Sequence, residues 1–419
     1  MSLLQDLRFA IRLLVRDRGF TTVATVALAL GIGLNAAMFT LVNAILIRGL
    51  PFDDPDRLMY LGGRDLERGG LAGVSWLDFQ SWRDSQTSFI DLAAWSIGAM
   101  NVADETQPPE RYDGVYFSAN AFKVIGAHPI RGRDFMPEDD VPGAPPVVVL
   151  GHAVWKSRYA LDDSIVGRMI RVNDVPATVV GVMAEGMQFP DADLWMPLSG
   201  VPGLAAQPRN QRFGMQAFGR LAPGVSRRQA QTELSAIAAR LEHDFPATNR
   251  NIGATVMTFN ERISFGPIRL VFLALMGAVG FVLLVVCANV ANLLLVRSTA
   301  RAREMAIRVS IGATRWRIVR QLLVESLLLA VMGGVLGWLL AVGGIRWFDA
   351  VTQGIGRPFF LQFTMDARVF AFLATVCLAT GVIFGLAPAM HLSKTDINDV
   401  VRTGGRGSGG PRSSSASSR

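Results

Sequence analysis

The sequence predicts a membrane protein of four transmembrane α-helices with a large mixed α/β extracytoplasmic domain between the first and the second. Three observations carry this. Half of the 419 residues are hydrophobic and only 18% are charged, which is outside the ordinary range of soluble domains. Four uncharged apolar runs are each long enough to cross a bilayer. Arginines concentrate in the short segments beside those runs, and the chain carries a formal charge of +7, the pattern that fixes membrane orientation.

Residues 1–18 form a basic leader with Arg8, Arg12, Arg16 and Arg18, expected as a cytoplasmic amphipathic helix. The first span, 19–47, is 29 residues without a charged side chain; as a helix it rises about 43 Å against a hydrocarbon core of ~30 Å. A secretory signal has a much shorter apolar region, so this is an uncleaved anchor. The remaining spans are expected at 268–296, 321–345 and 369–390. The connection 297–320 holds seven arginines against the single acid Glu304, which places it in the cytoplasm with the leader. Even traversal then puts both termini inside, including the Gly/Ser/Arg-rich tail 391–419, and leaves the loop 346–368 outside with residues 48–267.

In the outer domain, Ser75 followed by Asp78 predicts a capped helix through Trp82, with the acid complementing the helix dipole and Trp76, Phe79 and Trp82 facing inward. Residues 169–172 and 175–182 predict a hairpin turning at Asn173 and Asp174. A strand is expected over 214–221, followed by a helix capped by Ser226 that buries Ala230, Leu234, Ile237, Ala238 and Leu241. Residues 142–146 are a candidate seam between subdomains.

Few catalytic chemistries find residues here. Cys287 and Cys377 lie inside apolar runs, and His128, His152, His243 and His391 are scattered, so neither a disulfide framework nor a zinc site is expected. Residues 151–157 place Trp155 where a phosphate-binding loop needs glycine. The acids Glu138, Asp139 and Asp140, and Asp162 with Asp163, have the context of solvated loops. No cofactor and no nucleic-acid partner are expected, because topology already accounts for the arginines.

The connection 297–320 is patterned as a surface helix. Arg301, Glu304 and Arg308 recur at three and four residues on one face while Met305 and Val309 lie on another. Gly312 stops that helix, Thr314 caps the next, and Arg315 begins a helix continuing into the third span. From composition, docking on a protein and docking on anionic lipid are equally supported. Within the spans, Asn35, Asn43, Asn289 and Asn292 suit hydrogen bonds across helix contacts, and Ala29, Gly33 and Ala37, with Gly381 and Gly385, have the small-residue spacing of close helix packing, between subunits or within one. Glu325, near the cytoplasmic surface, suits snorkelling or pairing with Arg320 or Gln321 rather than proton relay.

The stretch 301–330, RAREMAIRVSIGATRWRIVRQLLVESLLLA, closely resembles the cytoplasmic loop and third helix of MacB/FtsX-like ABC transporter permeases. Residues 6–58 resemble the opening of the duplicated orphan permeases of that group, and the outer domain continues the likeness. The resemblance implies a type VII transporter subunit of the bacterial inner membrane that pairs with a second permease copy or homologous half. It further implies binding to a separate cytoplasmic ABC ATPase, relay of its motion to the outer domain, and a periplasmic partner. It would make Arg301, Glu304, Met305, Arg308, Val309, Gly312 and Arg315 the ATPase contact. Duplicated members repeat the whole unit, whereas this chain holds it once, as a half, a split product or a fragment. A membrane-anchored scaffold or sensor without an ATPase is the alternative.

Overall fold

The computed structural model describes residues 3–104, 107–212, 214–264, 266–300, 315–352 and 361–394. The chain forms two compact units, one helical and one built on Ile45–Gly266.

The helical unit opens with α1 (Leu3–Arg16) and α2 (Arg18–Val42), the latter extended by a π-helical turn over Asn43–Ile47. The elbow between them is closed by the buried Thr21, whose hydroxyl donates to the Leu14 carbonyl at 2.8 Å and to that of Asp17 at 3.1 Å.

The outer unit alternates strands and helices: β1 (Leu58–Asp65), β2 (Leu71–Ala72), α3 (Trp76–Ser85), β3 (Phe89–Ala103), β4 (Glu110–Phe117), α4 (Ala121–Ile125), β5 (Arg131–Gly132) and β6 (Val147–Leu150). It continues through α5 (His152–Tyr159), β7 (Met169–Val172), β8 (Val175–Val182), β9 (Leu194–Pro197), β10 (Met215–Leu221), α6 (Arg227–Asp244), α7 (Pro246–Asn249), β11 (Ile252–Thr258) and α8 (Phe259–Ile263). The helical unit then resumes with α9 (Ile268–Ala300), α10 (Arg315–Thr352) and α11 (Ala367–Lys394). Long apolar helices at Arg18–Ile47, Ile268–Val296, Val319–Thr352 and Ala367–Leu386 give four candidate membrane spans, as the hydropathy pattern predicts.

Among the described residues, the outer strands join in one sheet ordered β11-β1-β10-β3-β4-β9-β6-β8-β5, with β2 on β1 and β7 bridging β3 and β8. The sheet runs through the proposed seam: β6 follows residues 142–146 directly and pairs with β8 and β9. Residues 142–146 therefore lead straight into a strand of the common sheet. The β7–β8 hairpin turns where expected, with Asn173 and Asp174 both at positive φ, the backbone that a tight two-residue turn requires. Helix α6 starts from a reciprocal capping box of Ser226 and Gln229 and buries the five expected apolar residues. The core is strongly aromatic. Trp95, Phe117, Phe189 and Phe218 meet edge to face or tilted at centroid separations of 5.3–6.3 Å, favourable quadrupole geometry.

Candidate functional site

Helix α10 follows the connection 301–314 in the chain. Its 38 residues rise about 57 Å at the α-helical pitch, longer than a bilayer core alone requires. Arg315 opens this helix. Arg301, Glu304, Met305, Arg308, Val309 and Gly312 lie outside the described residues.

The expected helix-packing residues divide into two groups. Gly33 and Gly337 face one another: a β-carbon at Gly33 would stand 2.7 Å from the Gly337 carbonyl oxygen. Only two hydrogens at each Cα allow α2 and α10 to approach this closely. Asn35 donates to the Gly31 carbonyl at 2.8 Å and across to the Val279 carbonyl of α9 at 3.1 Å. Gly381 packs on Leu327 and Ala330, and Gly385 on Leu323 and Ser326, fastening α11 to α10. The Ser326 hydroxyl also donates to the Gly381 carbonyl at 2.8 Å. These contacts are internal to one chain. Asn43 adds a hydrogen bond at 2.9 Å to Asp366, whose other oxygen caps α11 by accepting from Arg368 and Val369 amides.

Asn289 and Asn292 take no part in the packing within a single chain among the described residues. Both are exposed, because α9 packs inward through Cys287, Val290 and Leu294 and carries the two asparagines on the other side of the helix. Glu325 also departs from the snorkelling alternative, being buried at 5% exposure. Arg320 forms an ion pair with Asp6 of α1.

In the outer unit, sequence reasoning missed a buried charge network centred on Asp78. Ser75 caps α3 as expected, accepting from the Asp78 amide at 3.1 Å. The Asp78 carboxylate turns inward, with one oxygen accepting from Arg209 at 2.7 Å and from Asn249 at 3.0 Å and the other from Arg212. Burial pushes this carboxyl up, but hydrogen bonds from Asn249, Arg212 and Arg209 outweigh it and hold the group below the usual carboxylate range. The partners lie more than 130 residues downstream, so no local spacing announced them. A second buried pair, Arg158 with Asp104, fastens α5 to the segment after β3, where Arg158 also donates to the Pro108 carbonyl.

Glu138, Asp162 and Asp163 are exposed as their loop context suggested, whereas Asp139 and Asp140 are partly buried. Asp140 accepts from the Ser199 amide at 2.7 Å and the Ala119 amide at 3.0 Å, and burial raises its carboxyl. Asp139 pairs with Arg133 and accepts from the Met136 amide. Their oxygens hold turns in place.

Beside Gly151 lies a cleft of about 300 Å³ lined by His152 and Lys156 together with Glu185 and Asp193. Its mixed charge, with Gly151 and Gly186 on separate segments of the lining, does not resemble the glycine-rich cradle of convergent amides that a polyphosphate needs.

The MacB-like periplasmic core domain family matches residues 21–237, and the FtsX-like permease C-terminal family matches residues 276–397. The chain is similar to the macrolide export ATP-binding/permease protein MacB of Chromobacterium violaceum, 31% identical over 67% of this chain and 42% of that protein. It is similar to the pyoverdine export ATP-binding/permease protein PvdT of Pseudomonas aeruginosa, 30% identical over 66% of this chain and 40% of that protein. The ABC transporter permease YknZ of Bacillus subtilis is 26% identical over 68% of each chain. The chain thus spans about two fifths of the length of the MacB and PvdT relatives.

Proposed function

This chain belongs to the MacB/FtsX-like ABC transporter permeases of the inner membrane, and on that premise we propose that it is a non-catalytic subunit relaying the motion of a cytoplasmic ABC ATPase to its extracytoplasmic domain. The relay serves export or the mechanical control of an envelope process. The observation that carries this reading is the unbroken helix α10, which starts at Arg315 and fits α2 glycine against glycine at Gly33 and Gly337. A push on the connection before Arg315 would travel along a rigid rod into the first span, which leads by chain continuity into the outer domain. The ATP-binding function in the names of the MacB and PvdT relatives supports an ATPase partner.

In this reading Met305 and Val309 fill an apolar groove on the ATPase, and Arg301, Glu304, Arg308 and Arg315 fix its orientation, with Gly312 ending the coupling helix. Met305→Asp puts a carboxylate into the contact at a cost of several kcal/mol if it stays unpaired. Pull-down of the ATPase from detergent should fall sharply for Met305→Asp while the outer domain stays folded. That result would also fix the connection, and with it both termini, on the cytoplasmic side. Equal recovery by the variant would defeat the coupling assignment, and absence of any co-purifying ATPase would favour the scaffold alternative.

A second permease copy fits along α9. On its exposed side Ala274, Ala278, Phe281, Val285, Ala288 and Asn292 recur at alternating spacings of four and three, the repeat of a two-helix seam. Asn292 at a seam position gains a partner amide across a two-fold axis, whereas in lipid it would have none. In native membranes a cysteine at Phe281 should crosslink to its twin; no crosslink there would remove this seam.

A further inference from the structure

The leader helix α1 carries three distinct faces. Asp6, Ala10, Leu13 and Leu14 are buried against the helical unit. Leu7, Ile11 and Val15 form a stripe left 37%, 46% and 57% exposed. Arg8, Arg12 and Arg16, each one residue further on, form a parallel exposed stripe. At 100° per residue the apolar and basic stripes are adjacent arcs of about 80° each. None of the three arginines has an acidic partner among the described residues.

The helix is held with these faces fixed. Asp6 pairs with Arg320 of α10, and Thr21 hydrogen-bonds the Leu14 carbonyl across the elbow to the first span. A helix joined by one residue to a membrane span, with an apolar stripe beside a row of guanidinium groups, matches a bilayer surface in both polarity and charge. The leucine, isoleucine and valine enter the acyl boundary, and the arginines stand at the level of the phosphates. Guanidinium suits this role because it binds phosphate oxygens bidentately.

We propose that α1 is a binding element for anionic phospholipid, with Arg8, Arg12 and Arg16 contacting the headgroups and Leu7, Ile11 and Val15 the chains beneath them. Through the Asp6–Arg320 pair, the same grip steadies the cytoplasmic end of α10. Selectivity for anionic over zwitterionic lipid follows from the unpaired basic row, and the apolar stripe adds affinity without selectivity.

The test uses full-length protein in neutral detergent, offered equal phosphatidylglycerol and phosphatidylcholine, with bound lipid counted by native mass spectrometry. Wild type should retain phosphatidylglycerol preferentially, and the preference should shrink as salt rises. The Arg8→Gln, Arg12→Gln, Arg16→Gln variant should lose it, by about fivefold per arginine at low salt. The corresponding triple lysine variant should keep most of it, which separates loss of charge from loss of fold. Leu7→Ser with Ile11→Ser should lower retention of both lipids equally. An undiminished preference in the triple glutamine variant would overturn the proposal. So would unchanged lipid retention accompanied by loss of a co-purifying protein, since the basic row would then belong to a protein partner.

Discussion

Inside the outer domain the largest fully buried side chains include Trp195, Phe79, Phe117, Phe122, Phe189 and Phe218, and the buried carboxylate of Asp78 is matched by two arginines. The helical unit joins its elements at Gly33, Gly337, Gly381 and Gly385 and through the side chains of Asn35, Asn43 and Ser326, while Leu270, Phe281, Val296 and Leu339 face outward. The contrast follows from solvent. In water, burying aromatic area is itself the driving force. Between lipid-solvated helices that force is absent, so close approach and dispersion contacts must replace it.

The comparison is tested most severely at Asp78. Asp78→Ala leaves Arg209 and Arg212 buried without their counter-charge and should cost the outer domain about 3–5 kcal/mol. Its folded carboxyl titrates below the unfolded one. The stabilisation is therefore present at neutral pH and lost as pH falls through the depressed folded value. Thermal unfolding of the intact protein, followed by tryptophan fluorescence, reads both effects; a loss under about 1 kcal/mol would show the network to be unimportant.

The matching break in the helical unit is Gly33→Leu. The Gly337 backbone, 2.7 Å from the position of the new β-carbon, cannot yield as a side chain could, and a cost of about 1–3 kcal/mol is expected, measured by denaturation in mixed detergent. Leu30→Ala, at a position 59% exposed, should be nearly silent in the same assay. Equal effects of the two would erase the distinction between packed and outward faces.

Asp134 gives the smallest effect and the opposite sign. Burial raises its carboxyl to about 6 against an ordinary 3.8, despite the hydrogen bond it accepts from the Phe135 amide. The folded protein holds this proton longer than the unfolded chain, so the group's contribution to stability declines as pH rises from about 4 to 6. After discounting for partial exposure, Asp134→Asn should stabilise the outer domain by about 1 kcal/mol at pH 7. The gain should vanish below pH 4, and a gain that persists there would point to a cause other than ionisation.

The sequence by itself determined the features written in short-range pattern. Uncharged length gave the four spans, the 3.6-residue period gave the buried face of α6, and Asn173 with Asp174 gave the β7–β8 turn. Gly33 and Gly381 were legible as close-packing positions because glycine at membrane depth has few other uses. Only the tertiary structure decided which helices they join, that Asn35 bonds across a contact while Asn289 and Asn292 face outward, and that Asp78 looks inward. The physical reason is the same each time. Periodicity records which side of an element avoids water, but the solvent beyond a span is apolar too, so hydropathy cannot separate its lipid face from its packed face. A buried ion pair needs only that its charges meet in space, and Asp78 and Arg212 meet across 134 residues of chain.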